Sequence, residues 1–168
     1  MDTQESQLIE KVVHIGRVTK VVKGGRIFKF AAIVIVGDMK GRVGIGDGKA
    51  KEVPDAIRKA LDNAKKNIIN LPVTKGTIPH SVMGKFGAAR ILMKPAAPGT
   101  GIIAGGVARA LFELGGINNI LAKAVGSRNP NNILYAVMDG LKLIRKLEQV
   151  AAMRNVDINK IINLNREA

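Results

Sequence analysis

Apolar positions in the first fifty residues follow strand spacing, and the period changes only afterwards. KVVHIGRVTKVV (residues 11–22) is rich in β-branched side chains and predicts one strand, and IFKFAAIVIV (27–36) predicts a second, more apolar one. Lys23-Gly24-Gly25-Arg26 lies between them and marks a hairpin, because Gly-Gly accepts the positive φ of tight hairpin turns. GDMKG (37–41) makes the next turn, and RVGIG predicts a third, short strand. Val53, Ile57, Leu61, Ala64 and Ile68 then recur on one face of a helix over residues 53–69, placed to cover the sheet. Pro54 suits the first turn, Glu52 and Asp55 sit at the positive end of the dipole, and Lys65 and Lys66 sit at the negative end.

NLPVTKGTIP (70–79) holds two prolines and a glycine and reads as a boundary. Beyond it, residues 80–85 and 88–94 predict strands hinged at Gly84 and Gly87. A helix over 103–114 stops at Gly115-Gly116, and 118–125 is a further strand. Asn129-Pro130 opens a helix to about residue 147, with Ile133, Val137, Leu141 and Ile144 as its buried stripe. The tail predicts a short helix near 158–164. The expected architecture is α+β, with an acidic segment 1–10, a unit of three strands and a helix at 11–75, a second unit at 76–147, and a tail at 148–168.

Charge narrows the partner. The 168 residues carry 27 basic and 13 acidic side chains, net +14. Residues 1–10 are net −3 while 11–75 are net +10, so the excess begins just behind an acidic tip. Such self-repulsion is relieved by a polyanion. Aromatics are 3% of the chain with no Trp, which leaves little to stack on bases and points to phosphates and helix shape. Without cysteine there is no disulfide, thiolate metal site or Cys nucleophile. MDTQESQLIE is polar and acidic, so neither a secretory signal nor an Arg-rich transit peptide is expected there.

Three catalytic or nucleotide readings are weak. GRVGIGDGKAKEVPDAIRKA (41–60) has Val43 and Ala50 where a Walker loop ending at Lys49 needs Gly and Ser or Thr, so its glycines are expected to ease a strand-to-helix connection. Gly99-Thr100-Gly101-Ile102-Ile103-Ala104 is a formal G-x-G-x-x-A, the basis of an NADP-dependent reductase alternative. The next strand nevertheless ends in Gly126-Ser127-Arg128 without the ribose-binding acid, and close packing of Gly101, Gly105 and Gly106 on the sheet is the better expectation. A Ser81/His80/Asp139 triad has no nucleophile elbow behind it, and two histidines without an acidic cluster make a poor metal site. The basic features are stronger. Lys20, Lys23, Arg26 and Lys29 crowd one hairpin, Lys49 and Lys51 precede the helix, and Arg58, Lys59, Lys65 and Lys66 stripe its outer face. A free chaperone or regulator of double-stranded RNA is the competing binding-module reading.

VVKGGRIFKFAAIVIVGD, GRVGIGDGKAKEVPDAIRKA, PAAPGTGIIAGGVARALFELGGI and LAKAVGSRNPNNILYAV, in this order across residues 12–143, resemble the bacterial ribosomal protein S-five family of the small subunit. The resemblance implies a double-stranded-RNA-binding-like N-terminal domain, a C-terminal α+β domain, a cytoplasmic structural role without catalysis, and no cofactor or metal. It implies a hairpin finger over residues 19–29 reaching ribosomal RNA where the head of the subunit joins the body. Val21, Val22, Lys23, Gly24, Gly25 and Arg26 are then the spectinomycin-resistance loop. It further implies contacts to small-subunit proteins four and eight, with Gly126, Ser127, Arg128, Asn129 and Pro130 facing protein four in a fidelity-linked contact. Arg42, Lys85, Arg90 and Lys123 complete the expected RNA-binding set. The family commonly has an aromatic residue where this chain has Asp47 and often a basic one where it has Tyr135, and KLIRKLEQ is unlike its relatives.

Overall fold

The computed structural model describes residues 8–145 and 147–156. The chain opens with β1 (Ile9–Val22), β2 (Gly25–Gly37), β3 (Arg42–Ala50), α1 (Val53–Lys66) and β4 (Ile68–Asn70), whose strands form an antiparallel sheet in the order β1-β2-β3-β4. β5 (Val82–Phe86), β6 (Ala89–Pro95), β7 (Ile102–Ile103), α2 (Gly106–Leu114) and β8 (Ile120–Gly126) follow, then α3 (Pro130–Leu143) and α4 (Leu147–Arg154). The second sheet runs β5-β6-β8-β7, with β7 parallel to β8 across the α2 crossover. Two α+β units are therefore present, as the spacing of apolar residues predicts. No helix among the described residues is long and apolar enough to cross a membrane.

Several expectations need correction. β4 adds a fourth strand, pairing Ile68 with Gly44 and Ile69 with Val43, so the first helix ends at Lys66 rather than near 69. β3 is nine residues long, not a short strand ending at Gly46. α3 stops at Leu143, and the separate α4 occupies the stretch beyond it. The expected helix near 158–164 lies outside the described residues.

The stripe of α1 that meets the sheet is Ala56, Ala60 and Ala64, with Ile57 and Leu61 only partly buried beside it. The reason lies across the interface. Gly44, Gly46 and Gly48 alternate along β3, and a Cβ at each would run into the carbonyl of Ala64, Ala60 and Ala56 respectively. None of the three has positive φ, so they serve neither a turn nor a strand-to-helix connection. Period-two glycines under period-four alanines bring the helix backbone down onto the strand.

The opposite face of this sheet is also covered. Ile33, Ile35, Val43 and Ile45 share one apolar cluster with Leu111, Phe112, Leu114, Leu134 and Val137 of the second unit. Burial on both faces explains why β2 ends in an unbroken apolar run instead of an alternating one. A backbone bond stitches the junction, Met39 N donating to Leu114 O at 2.9 Å, and Asn118 N donates to Gly76 O at 2.8 Å to hold the connecting segment on the second unit.

β1 and β2 outrun the sheet. β3 ends with Ala50 opposite Phe30, whereas the β1–β2 ladder continues from Arg17↔Phe30 to Val22↔Gly25. Residues 18–29 thus project as a two-stranded arm. Its tip is the two-residue turn Lys23-Gly24, and the positive φ falls on Gly25, at +127°, not on Gly24.

Candidate nucleic-acid interface

Strand pairing sorts the side chains of the arm. Residues directly opposite share a face, so Val18, Lys20, Val22, Ile27 and Lys29 lie on one side and Arg17, Thr19, Val21, Arg26, Phe28 and Phe30 on the other. The first side continues, through Ala31 and its partner Lys49, the face that packs against the second unit. No ion pair among the described residues engages Lys20, Lys23, Arg26 or Lys29. The arm carries no acid from Lys11 to Gly37. Apolar groups are exposed there too, Val21 most of all at 73%.

On α1, Arg58, Lys59 and Lys66 are exposed without a described partner, but Lys65 is bound to Glu10 of β1 at 2.9 Å. Lys49 and Lys51 flank the end of β3, exposed. Arg42 is held by the turn instead. Its Nε donates to Asp38 Oδ2 at 2.7 Å, while Asp38 Oδ1 accepts from the backbone N–H of Lys40 and of Arg42 at 2.8 and 2.9 Å. Burial alone would raise the Asp38 carboxyl, but these donors together hold it below the ordinary carboxylate value. A depressed carboxylate stabilises the fold at neutral pH and loses that contribution as pH falls through its folded value. Asp38→Asn is therefore expected to lower stability by about 1–3 kcal/mol at pH 7, with the gap to wild type closing below about pH 4. Thermal melts of both proteins across that pH range check it.

The second sheet has one uncovered face. Lys85 stands opposite Arg90, and Leu92 opposite Lys123, with Val125 beside Arg90. Two like charges directly paired across strands repel, and an external anion offsets that cost. Lys94, two residues past Leu92, belongs to the same face and escaped the sequence reading, although strand alternation from Arg90 would have found it. Arg17 was missed in the same way.

Residues 126–130 mostly serve the fold. Gly126 has φ +87°, and a Cβ there would strike the Ala88 carbonyl. Ser127 N donates to Ala88 O at 3.1 Å, Asn129 Oδ1 accepts from Asn131 N at 3.0 Å as the helix cap, and Pro130 is the first helical residue. Arg128 is exposed.

Asp47 and Tyr135, the two positions expected to differ from the resembled family, meet each other. The Tyr135 hydroxyl donates to Asp47 Oδ1 at 3.0 Å, and the Phe86 ring centroid lies 4.9 Å from that of Tyr135. Burial, and then the Asp47 carboxylate, push the phenol above its ordinary value. Asp47 is thus occupied across the junction of the two units.

The enzyme readings fail on geometry. The amides of Gly99 and Gly101, which a dinucleotide site would offer to a pyrophosphate, both donate to Asn119 Oδ1, at 3.1 and 3.0 Å. Close packing is no better an explanation, because a Cβ at Gly101, Gly105 or Gly106 would meet nothing; Gly99 and Gly101 have positive φ instead. His80 Nε2 accepts from Arg145 N, so the neutral ring carries its proton on Nδ1 and donates it to Ser81 O. Asp139 accepts from Lys85 N, leaving no triad. No group of three potential metal ligands occurs among the described residues.

Residues 8–72 match the family model for ribosomal protein S5, N-terminal domain, and residues 84–154 match that for ribosomal protein S5, C-terminal domain. The small ribosomal subunit protein uS5 of Syntrophobacter fumaroxidans (strain DSM 10017 / MPOB) is 53% identical over 161 residues, covering 96% of this chain and 97% of the relative.

Proposed function

The chain belongs to the ribosomal protein S5 family, structural components of the small ribosomal subunit and not enzymes, and from that premise we propose that it holds small-subunit ribosomal RNA through Lys and Arg contacts to phosphate. The observation that carries this reading is the arm of residues 18–29, which projects beyond its sheet with four cations that form no ion pair among the described residues. Lys49, Lys51 and the outer face of α1 extend the contact, and Lys85, Arg90 and Lys123 form a second one. Arg42 and Lys65 contribute less, each sharing its charge with an acid.

In this reading the arm lies near the head–body junction of the subunit, and residues 21–26 form the spectinomycin loop. Proteins four and eight of the small subunit are its neighbours, with Arg128 the residue of the 126–130 stretch free to reach protein four. The protein works in the cytoplasm as one copy per subunit, supporting assembly and translational accuracy. Residues 11–75 and 76–147 are its two domains.

Sucrose-gradient sedimentation of cell extract tests the assignment, the expected result being co-migration with the small-subunit peak. A protein that bound duplex RNA yet stayed out of that peak would be a free RNA chaperone instead. The tip is a finer test. Gly24 has no positive φ, and nothing lies within 4 Å of a Cβ built there. Gly24→Asp is expected to change stability by less than about 0.5 kcal/mol. It should weaken RNA binding at low salt, with the loss shrinking as salt screens the new carboxylate. Circular dichroism and a salt series of RNA titrations check both halves.

A further inference from the structure

We propose that Phe28 and Arg17 form a stacking platform on the arm for one unpaired nucleobase of the RNA. The inference rests on the RNA-binding reading above and adds to it a contact that is not to phosphate.

Phe28 and Phe30 are two residues apart on one face of β2, yet they have different fates. Phe30 packs against the cluster under α1, whereas Phe28 lies past the end of β3 and is 46% exposed. The Arg17 guanidinium sits 4.8 Å from the Phe28 ring centroid. A guanidinium over an aromatic face makes a flat, cationic, two-layer surface.

What covers this surface must suit its surroundings. Thr19, Val21 and Arg26 share the face, and the whole arm lacks an acid. Such a site favours a partner that offers a planar π face and negative charge together, which is a base with its phosphate. Base stacking on aromatic and guanidinium planes is the usual way single-stranded positions of RNA are held. A chain poor in aromatics can still supply one such platform, and one is enough for one base.

The test uses the full-length protein and isolated small-subunit ribosomal RNA, titrated across a salt series. Phe28→Leu is expected to weaken binding by about five- to 100-fold at every salt concentration, without altering the slope of log K against log salt. Phe28→Trp is expected to restore it. Melting temperatures of both variants should match wild type, since the ring is exposed. A photo-crosslinking phenylalanine analogue at position 28 should join a base and not a sugar or phosphate. Wild-type affinity in Phe28→Leu, with Lys23→Gln still lowering the salt slope, would overturn the stacking platform and leave the phosphate reading standing. Failure of wild-type protein to bind the RNA at all would overturn both.

Discussion

Gly46→Val is expected to abolish the native fold of the N-terminal unit. A Cβ at Gly46 would collide with the Ala60 carbonyl and lie 3.0 Å from Ala64 Cα, so all the nearest atoms are backbone and none can rotate away. Only a lift of α1 relieves the clash. That movement uncovers Ala32, Val34 and Val36 on the sheet and Ala56, Ala60 and Ala64 on the helix. The cost exceeds about 4 kcal/mol, a large part of the roughly 5–15 kcal/mol that holds a domain together. Urea denaturation followed by far-ultraviolet circular dichroism should show a collapsed midpoint or no native baseline. Gly24→Val, where the added side chain meets nothing, is the matched control and should melt like wild type. A Gly46→Val protein with an unchanged midpoint would show that the helix and sheet are not in backbone contact.

Replacing Lys20, Lys23, Arg26 and Lys29 together by glutamine should remove most of the affinity for small-subunit RNA. Each released phosphate contact changes the log–log salt slope by about 0.7–0.9, so four contacts flatten it by roughly three units. At physiological salt this corresponds to a loss on the order of 10²–10³-fold. All four side chains are exposed and unpaired among the described residues, so the fold should survive and the melting temperature hold or rise as repulsion falls. Filter-binding titrations between low and physiological salt check the slope. An unaltered slope would place the RNA elsewhere on the protein.

The parts of the molecule legible in the sequence are those set by local chemistry. The β1–β2 hairpin follows from β-branched runs around Gly-Gly, and the start of α3 follows from Asn129-Pro130. The stripe of α1 holds Ala64 as expected but centres on Ala56 and Ala60, with the more apolar Ile57 and Leu61 only packed beside it. The winning term was steric, since Gly44, Gly46 and Gly48, eight to twenty residues upstream, admit only alanine. β4 is three residues long, and its two isoleucines fit the end of a helix as well as a strand. At the site, the cations were visible individually while their neutralisation was not. Glu10 bonded to Lys65, and Asp47 to Tyr135 88 residues away, are products of folding that no local window contains. Asn119 occupying the Gly99 and Gly101 amides is of the same kind.

The sheet covered on both faces sets a problem of timing during synthesis. Ile33, Ile35, Val43 and Ile45 are made early, but Leu111, Phe112, Leu134 and Val137, which cover them, come some seventy to a hundred residues later. At about 5–20 residues per second the nascent chain presents a bare apolar face for several seconds to about twenty. The cationic arm is complete throughout that interval. A growing chain therefore carries that apolar surface beside a cationic arm, and like charge of this kind opposes association between copies.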